Sequence, residues 1–321
     1  MDNHTNKSRI IPNDFFEFCS LLKAKTNKEE VYKYFQLKNR HIIDEYFHFL
    51  IENDFGFFCN EDEFDRFPEI ETKYVSPNVI SNSVIELNQN GIYNRLNSIL
   101  SQLENLGCNY LSIIFYDKIQ STDIDKVIEL VDCYHMKSLE LTIPYEESLE
   151  NYILNSIGSK MNSLTRINLT SSPTDNFREA DNIVLFDIFY TEEIINSFKN
   201  CGKVNKKHFY TNLEKTLEAK CFNSCLNKKI SINIEGNICN CPGFKTNDSY
   251  GNINEKRLID VIENTNFKDI WKIKKDEIEV CKDCEFRYVC TDCRAFIEDE
   301  SNLFSKPLKC KYNPYEALWN D

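Results

Sequence analysis

Residues 281–294 read CKDCEFRYVCTDCR, four cysteines within thirteen positions. What these thiols hold decides how the tail of the chain folds. A C-x2-C pair lets two thiolates reach one metal centre. A zinc ribbon closes on four ligands and separates its two pairs by a longer loop. Here only five residues lie between Cys284 and Cys290, and no histidine follows His208. Iron–sulfur clusters take four thiolates each, and neighbouring clusters exchange cysteines across the sequence. Both metals stay open on this spacing alone.

Of 14 cysteines, nine fall between 221 and 310. The start, MDNHTNKSRIIPND, has no apolar signal core. No stretch approaches the ~20 apolar residues of a membrane span. The chain therefore reads as cytoplasmic, where a cysteine cluster binds metal rather than forming disulfides. Upstream of 281 stands CFNSCLNKKISINIEGNICNCPGF (221–244). Its second half reads as a β-hairpin turning at Glu235-Gly236-Asn237, with Cys239 and Cys241 on the return strand. Cys221, Cys225, Cys241, Cys281, Cys284, Cys290, Cys293 and Cys310 make eight thiols, two full sets of four, with Cys239 left over. Cys19, Cys59, Cys108, Cys133 and Cys201 lie singly in apolar or mixed stretches and read as small buried hydrophobes.

Cys225-x10-Gly236-x4-Cys241, then Cys281-x2-Cys284-x5-Cys290-x2-Cys293, then Cys310 resembles the SPASM domain. That domain carries auxiliary clusters at the C-terminus of radical-SAM peptide-modifying enzymes. The final pair is one residue shorter than the family's C-x3-C. The resemblance implies two [4Fe–4S] clusters. One would be held by Cys221, Cys225, Cys241 and Cys293, the other by Cys281, Cys284, Cys290 and Cys310.

Working outward, residues 80–215 alternate short apolar runs with helical stretches. SVIEL, NYLSIIFYD, SLELTIPY, LTRINLTSS, NIVLFDIFY and KHFYTNL read as strands. GIYNRLNSILSQLENL, STDIDKVIELVDCY, ESLENYILNSIGSK and TEEIINSFKN read as helices. Such alternation indicates βαβ units and a parallel sheet. Six units are too few for a closed eight-stranded barrel and fit an open partial barrel or a doubly wound sheet. The resemblance implies the first, a partial (β/α)6 barrel of radical-SAM type. No GxGxxG and no GxxxxGK[ST] occurs, so no ordinary dinucleotide or P-loop site is expected.

At the N-terminus, NDFFEFCSLL, NKEEVYKYFQL and HIIDEYFHFLIEN repeat apolar residues at helical spacing, the first two behind Asn caps. DFGFFC follows like a short strand. The chain as a whole reads as α/β; within it residues 1–60 read as a helical, winged-helix-like module and 61–79 as an acidic linker. Residues 80–215 are the expected partial barrel and 216–321 the SPASM domain.

In radical-SAM enzymes a CxxxCxxC loop after the first barrel strand holds the cluster that cleaves S-adenosylmethionine. Here that loop is NQNGIYN, without cysteine; the chain's single CxxxC is Cys221–Cys225, and residue 228 is Lys. A functional radical-SAM enzyme, and S-adenosylmethionine as cofactor, are therefore not expected. EYFHFLIENDFGFFC, SPNVISNSVIEL, SYGNI and KPLKCKYNPY further resemble the SPASM-domain maturases of grasp-with-spasm systems. These act beside an ATP-grasp ligase on a ribosomal precursor peptide whose side chains become linked by ester or amide bonds (a graspetide). The resemblance implies a peptide-recognition role for the N-terminal module, by addition of an edge strand. The family's recognition sheet begins with a β-hairpin ahead of the segment matching RIIPNDFFEF, so the sheet is expected to be incomplete here or completed by a partner.

Three functions stay open: an accessory maturase that binds the precursor and docks the ligase, a redox-active iron–sulfur enzyme, and a zinc-stapled binding protein. The formal net charge of −13 argues against nucleic-acid or anionic-membrane partners. Outside the cysteines, Glu86 and Asp117 stand at the ends of the first two strands, where a barrel places functional groups. His135 and His208 are single histidines and read as structural. Arg287 and Arg294 either donate to cluster sulfides or pair with Asp283, Glu285 and Asp292. Phe286 and Tyr288 are expected to keep water from the cluster.

Overall fold

Strand β1 (Asn82–Leu87) is buried along nearly its whole length because a strand pairs with it on each side. The computed structural model describes residues 9–23, 26–35, 37–67, 71, 73–88, 92–157, 163–209, 212–245 and 248–320. The chain divides into two units, Met1–Tyr74 with Tyr210–Leu217, and Val75–Phe209 with Glu218–Asp321.

In the larger unit, β2 (Tyr110–Phe115), β3 (Ser138–Pro144), β4 (Leu164–Thr170), β5 (Asn176–Arg178), β6 (Asp187–Thr191), β7 (Lys229–Ile232) and β8 (Ile238–Cys239) join β1 in one eight-stranded sheet. Its order is β5-β6-β4-β3-β2-β1-β7-β8. The pairs from β1 through β4 to β6 are parallel, as is β1 with β7; β5 and β8 run antiparallel to their neighbours. The parallel strands β1, β2, β3, β4 and β6 therefore follow one another across the sheet in the same direction, with β5 on the outer edge beside β6. With right-handed crossovers, that order puts the connecting helices on one face of the sheet. In the smaller unit, α1 (Asn13–Leu22), α2 (Lys28–Tyr34) and α3 (Arg40–Glu52) are followed by the short α4 (Glu61–Phe64). The sheet's crossovers carry α5 (Leu96–Asn105), α6 (Ser121–Asp132) and α7 (Glu147–Tyr152).

The apolar spacing explains the crossovers. α5 buries Leu96, Ile99, Leu100 and Leu103 at i, i+3, i+4 and i+7, and α6 buries Ile124, Val127, Ile128 and Val131 likewise. These stripes pack with Ile85, Ile113, Leu141 and Ile167 of the strands in one continuous core. The smaller unit has its own core of Phe15, Phe18, Val31, Tyr32, Ile43 and Phe47. Its α2 begins with a reciprocal cap, Asn27 and Glu30 each bonding the other's backbone N–H at 3.0 Å.

Several expected elements differ. KHFYTNL is not the sixth parallel strand: Lys206–His208 is a 3-10 turn capped by Asn205, Leu213 opens α8 (Leu213–Cys221), and residues 210–211 lie outside the described set. The edge of β6 is already paired with the antiparallel β5, so no place remains there. TEEIINSFKN is helical only at Phe198–Asn200. The carbonyls of Thr191 and Glu193 accept from Ser172 and Ser171, which holds that stretch extended. DFGFFC is a turn and coil, with Phe55 N–H bonded back to Leu50 O at 2.8 Å, and the described residues of that unit contain no strand for it to pair with. In the NQNGIYN loop, residues 89–91 lie outside the described set.

Candidate metal centre

The predicted hairpin forms, with Gly236 at φ +84° and its N–H bonded to Asn233 O at 2.8 Å. A left-handed conformation at this turn is easy only for glycine. The return strand ends at Cys239, so Cys241 lies just beyond it rather than on it. Cys239 is buried in the sheet, where burial pushes its thiol up to about 12. Lys228, itself at φ +52°, reaches the carbonyls of Ser76 and Asn78 at 2.8 and 2.5 Å and fastens the start of β7 to the lead-in of β1.

Asn223 and Ser224 bring the two cysteine groups together. The Asn223 carboxamide oxygen accepts from the N–H groups of Cys225 and Leu226 at 3.0 and 2.9 Å. Its NH2 donates to Asp292 Oδ2 at 2.6 Å and Ile273 O at 3.1 Å. Ser224 Oγ donates to Cys290 O at 3.2 Å and accepts from Asp292 N–H at 3.1 Å. Residues 223–225 are thus stitched to residues 290–292, which sets Cys225 in the same neighbourhood as Cys293. Asp292 and Arg294 are fully buried as a pair, Oδ1 to Nη2 at 2.8 Å. Arg294 Nη1 also donates to the carbonyls of Leu303 and Ser305, both at 2.8 Å. The arginine therefore braces the tail behind the cysteines. It takes the ion-pairing option of the sequence reading, with Asp292.

Cys281, Cys284, Cys290 and Cys310 line a single small cavity of about 20 Å³. An aromatic set closes it. Phe209 and Phe286 lie 5.2 Å apart, Phe286 and Tyr312 5.1 Å, and Tyr312 and Trp319 5.0 Å between ring centres. Tyr312 and Trp319 come from a terminal hairpin, β9 (Tyr312–Asn313) with β10 (Leu318–Trp319). Phe286 stands on the cavity wall. Tyr288 is not on the wall; its hydroxyl donates to Asp276 at 2.8 Å. Arg287 is on the wall but bonds Asp276 Oδ1 and Cys284 O, both at 3.1 Å, instead of an acidic neighbour within the motif.

One lysine serves each group. Lys275 is 4% exposed and its ammonium donates to Cys290 Sγ at 3.2 Å. Burial acts to lower its pKa, but the charges of Cys290, Asp292 and Cys281 outweigh this and hold the ammonium form above its ordinary range. Lys229 Nζ donates to Cys225 Sγ at 3.5 Å, and Cys225, Cys241 and Cys201 likewise overcome the burial that would lower it. Burial pushes the thiols the other way, Cys281 up to about 12 and Cys284 up to about 11. A buried ammonium needs a negative partner, and thiols become thiolates on binding metal. Four sulfurs on one cavity, an aromatic lining and a cation beside each group fit an anionic thiolate-held cluster. Among the described residues, no group of three or more His, Cys, Asp or Glu side chains is set to hold a single metal ion.

The sequence profile of the SPASM domain, an iron–sulfur cluster-binding domain, matches residues 221–285. This stretch is a SPASM domain. The match stops ahead of Cys290, Cys293 and Cys310 and covers about a fifth of the chain, so it identifies the tail and not the whole protein. No curated protein and no solved structure matches the chain. No helix among the described residues is long and apolar enough to cross a membrane.

The remaining candidates sit apart from the SPASM cysteines or belong to the scaffold. Glu86 is buried and accepts from the Tyr116 hydroxyl. Asp117 lies just past β2. His135 Nδ1 meets Glu104 at 2.8 Å on the surface, and His208 sits in the exposed 3-10 turn. Of the single cysteines, Cys108 is buried as expected; Cys19 is half-buried, and Cys59, Cys133 and Cys201 are exposed. Missed by sequence reasoning were Lys229, Lys275, Phe209, Tyr312 and Trp319. Lys275, Phe209 and Trp319 reach the thiols from other segments, whereas Lys229 stands four residues after Cys225 and Tyr312 two after Cys310; none is of a metal-ligand type that would mark it.

Proposed function

We propose that this protein is an accessory maturase for a ribosomally synthesised, post-translationally modified peptide. It binds the precursor and works with an ATP-grasp ligase in the cytoplasm. Its SPASM domain carries two [4Fe–4S] clusters, one on Cys281, Cys284, Cys290 and Cys310, the other including Cys225, Cys241 and Cys293. The observation that carries the reading is the single cavity lined by four SPASM-tail cysteines and backed by Lys275, on a chain whose sequence lacks CxxxCxxC. The clusters supply folding free energy to a tail of little regular structure, since an unfolded chain has no preformed site. The chain's own residues do the rest: the aromatic set excludes water, and the sheet order supports the partial-barrel reading of the scaffold.

The test has two parts. Anaerobically purified protein is expected to hold about eight irons and as much sulfide, four per cluster. Zinc without sulfide would sink the cluster assignment. Fluorescence anisotropy then follows a labelled synthetic precursor with the ligase, with and without this protein. A tighter complex in its presence supports the accessory role; unchanged binding and unchanged ligase turnover refute it.

A second reading, electron transfer to a peptide, is favoured by one observation. Lys275 and Lys229 each place a cation beside a thiol group, which eases reduction of an anionic cluster. Clusters inert to dithionite would exclude it.

A further inference from the structure

Cys201 stands twenty residues ahead of the SPASM match, alone in the stretch KNCGKV, and gives no ligand signal in sequence. The structure pins its chain segment against the thiol groups. The Lys309 ammonium, one residue before Cys310, donates to the carbonyls of Lys199 and Cys201, the latter at 2.5 Å, and lies 4.3 Å over the Phe296 ring. Gly202 adopts φ +84° and runs so close to the site that a β-carbon there would stand 3.0 Å from Cys293 Sγ and 3.2 Å from Phe296. The backbone next to Cys201 thus lies in contact with a cluster-candidate sulfur. Cys201 is exposed as a residue, and burial is the largest influence on its thiol, pushing it up.

The charges agree with the geometry. Cys225, then Lys229, then Lys309 act on the Cys201 sulfur. In turn Cys201 acts on Cys241, Cys293 and Lys229. Cys225, Cys241 and Cys201 act on the Lys229 ammonium, and Cys225 and Cys201 act on Cys293, whose sulfur the Gly202 backbone approaches.

We propose that Cys201 is a ligand of the iron–sulfur cluster that Cys225, Cys241 and Cys293 hold. The inference rests on the reading of the tail as a two-cluster domain. Ligation exchanges the Cys201 S–H bond for an Fe–S bond and releases one proton to water, with no change of oxidation state. Cys221, the last residue of α8, is the sequence pattern's choice for the same corner. Five thiols then stand for four positions, and Cys201 takes one.

The experiment compares the parent with Cys201→Ala, Cys201→Ser and Cys221→Ala, each purified anaerobically. Iron and sulfide per chain are measured, with electron paramagnetic resonance before and after dithionite. For Cys201→Ala the proposal expects iron to fall from about eight to about four per chain, or one cluster to convert to a three-iron form with its own signal. Cys201→Ser keeps the side chain's size, so a folding defect is not at issue; its reduced spectrum is expected to shift because oxygen replaces sulfur on one iron. Cys133→Ala, at an exposed thiol after α6, is the control and leaves iron unchanged. A Cys201→Ala protein with the parent's iron, sulfide and spectrum overturns the proposal and gives the corner to Cys221. A parent without iron and sulfide instead sinks the two-cluster reading itself.

Discussion

The Lys275 ammonium lies 3.2 Å from the Cys290 sulfur, in a part of the tail where the lysine has almost no access to water. A cation at that distance stabilises every negative charge that reaches the sulfur, and most of all the extra electron of a reduced cluster. On the proposed two-cluster assignment, Lys275→Met is expected to lower the reduction potential of the cluster assigned to Cys281, Cys284, Cys290 and Cys310 by tens of millivolts, leaving the other cluster unmoved. A dye-mediated titration followed by electron paramagnetic resonance reads both. Equal potentials in parent and variant mean that the lysine does not face a cluster.

Asp292 and Arg294 are both below the surface, so removing one leaves the other uncompensated. Arg294→Met is expected to cost about 3–5 kcal/mol, the usual penalty for breaking a buried pair from one side. Loss of the bonds to Leu303 and Ser305 adds to it. Thermal melts should show a lower midpoint together with iron loss on dilution. Replacing both Asp292 and Arg294 with apolar residues should recover part of the loss, since no lone charge remains.

Val280 occupies φ +65°, ψ −44°, and Cys281 N–H bonds Glu279 O across it at 2.6 Å. This is a tight γ-turn of the left-handed kind, strained for a β-branched residue. Strain of this sort costs about 1–3 kcal/mol. Val280→Gly removes it at an entropic cost of about 0.5–1 kcal/mol. The variant is expected to melt roughly 2–4 °C higher for each kcal/mol gained, with unaltered iron content. A lower midpoint would show that the valine side chain contributes more than its backbone costs.

Burial raises the Glu86 pKa, against the hydrogen bonds from Tyr116 and Ile234 that lower it. A carboxyl raised in the folded state favours folding most when protonated. Its contribution is fully present below the unfolded value of about 4.3 and is lost as pH rises through the folded value. Glu86→Gln imitates the protonated form at every pH. The variant should therefore melt above the parent at pH 8, and the gap should narrow as pH falls toward the glutamate range. A gap independent of pH would mean that Glu86 does not change charge on unfolding.

Much of the scaffold could be read from local pattern. SLELTIP alternates buried and half-buried residues along β3, and IDKVIELV keeps helical spacing in α6, because each side chain answers to its own element's period. KHFYTNL failed for a reason outside itself: β5 had taken the edge it needed. The hairpin before Cys241 was legible from Glu235-Gly236-Asn237, a turn signal. That β7 inserts beside β1 was not, since strand pairing over such a distance leaves no mark on either partner. The same limit applies to the thiols. Close spacing announced Cys281 and Cys284. Lys275, and Cys201 as the proposed ligand, come to the site through contacts that spacing does not encode, whereas Lys229 stands only four residues after Cys225.

The pairing of β1 with β7 sets an order of events on the ribosome. β1, β2, β3, β4 and β6 emerge first and can associate as they appear, but the second edge of β1 waits for Lys229–Ile232, about 140 residues later. At typical synthesis rates of about 5–20 residues per second that interval lasts roughly 7–30 s. Throughout it an apolar strand edge stands open to other nascent chains. The segment that finally covers it begins four residues after Cys225 and leads directly to Cys241. Iron delivery and protection of the nascent sheet from aggregation thus converge on one short hairpin, and cells starved of iron are expected to accumulate this protein as insoluble chains.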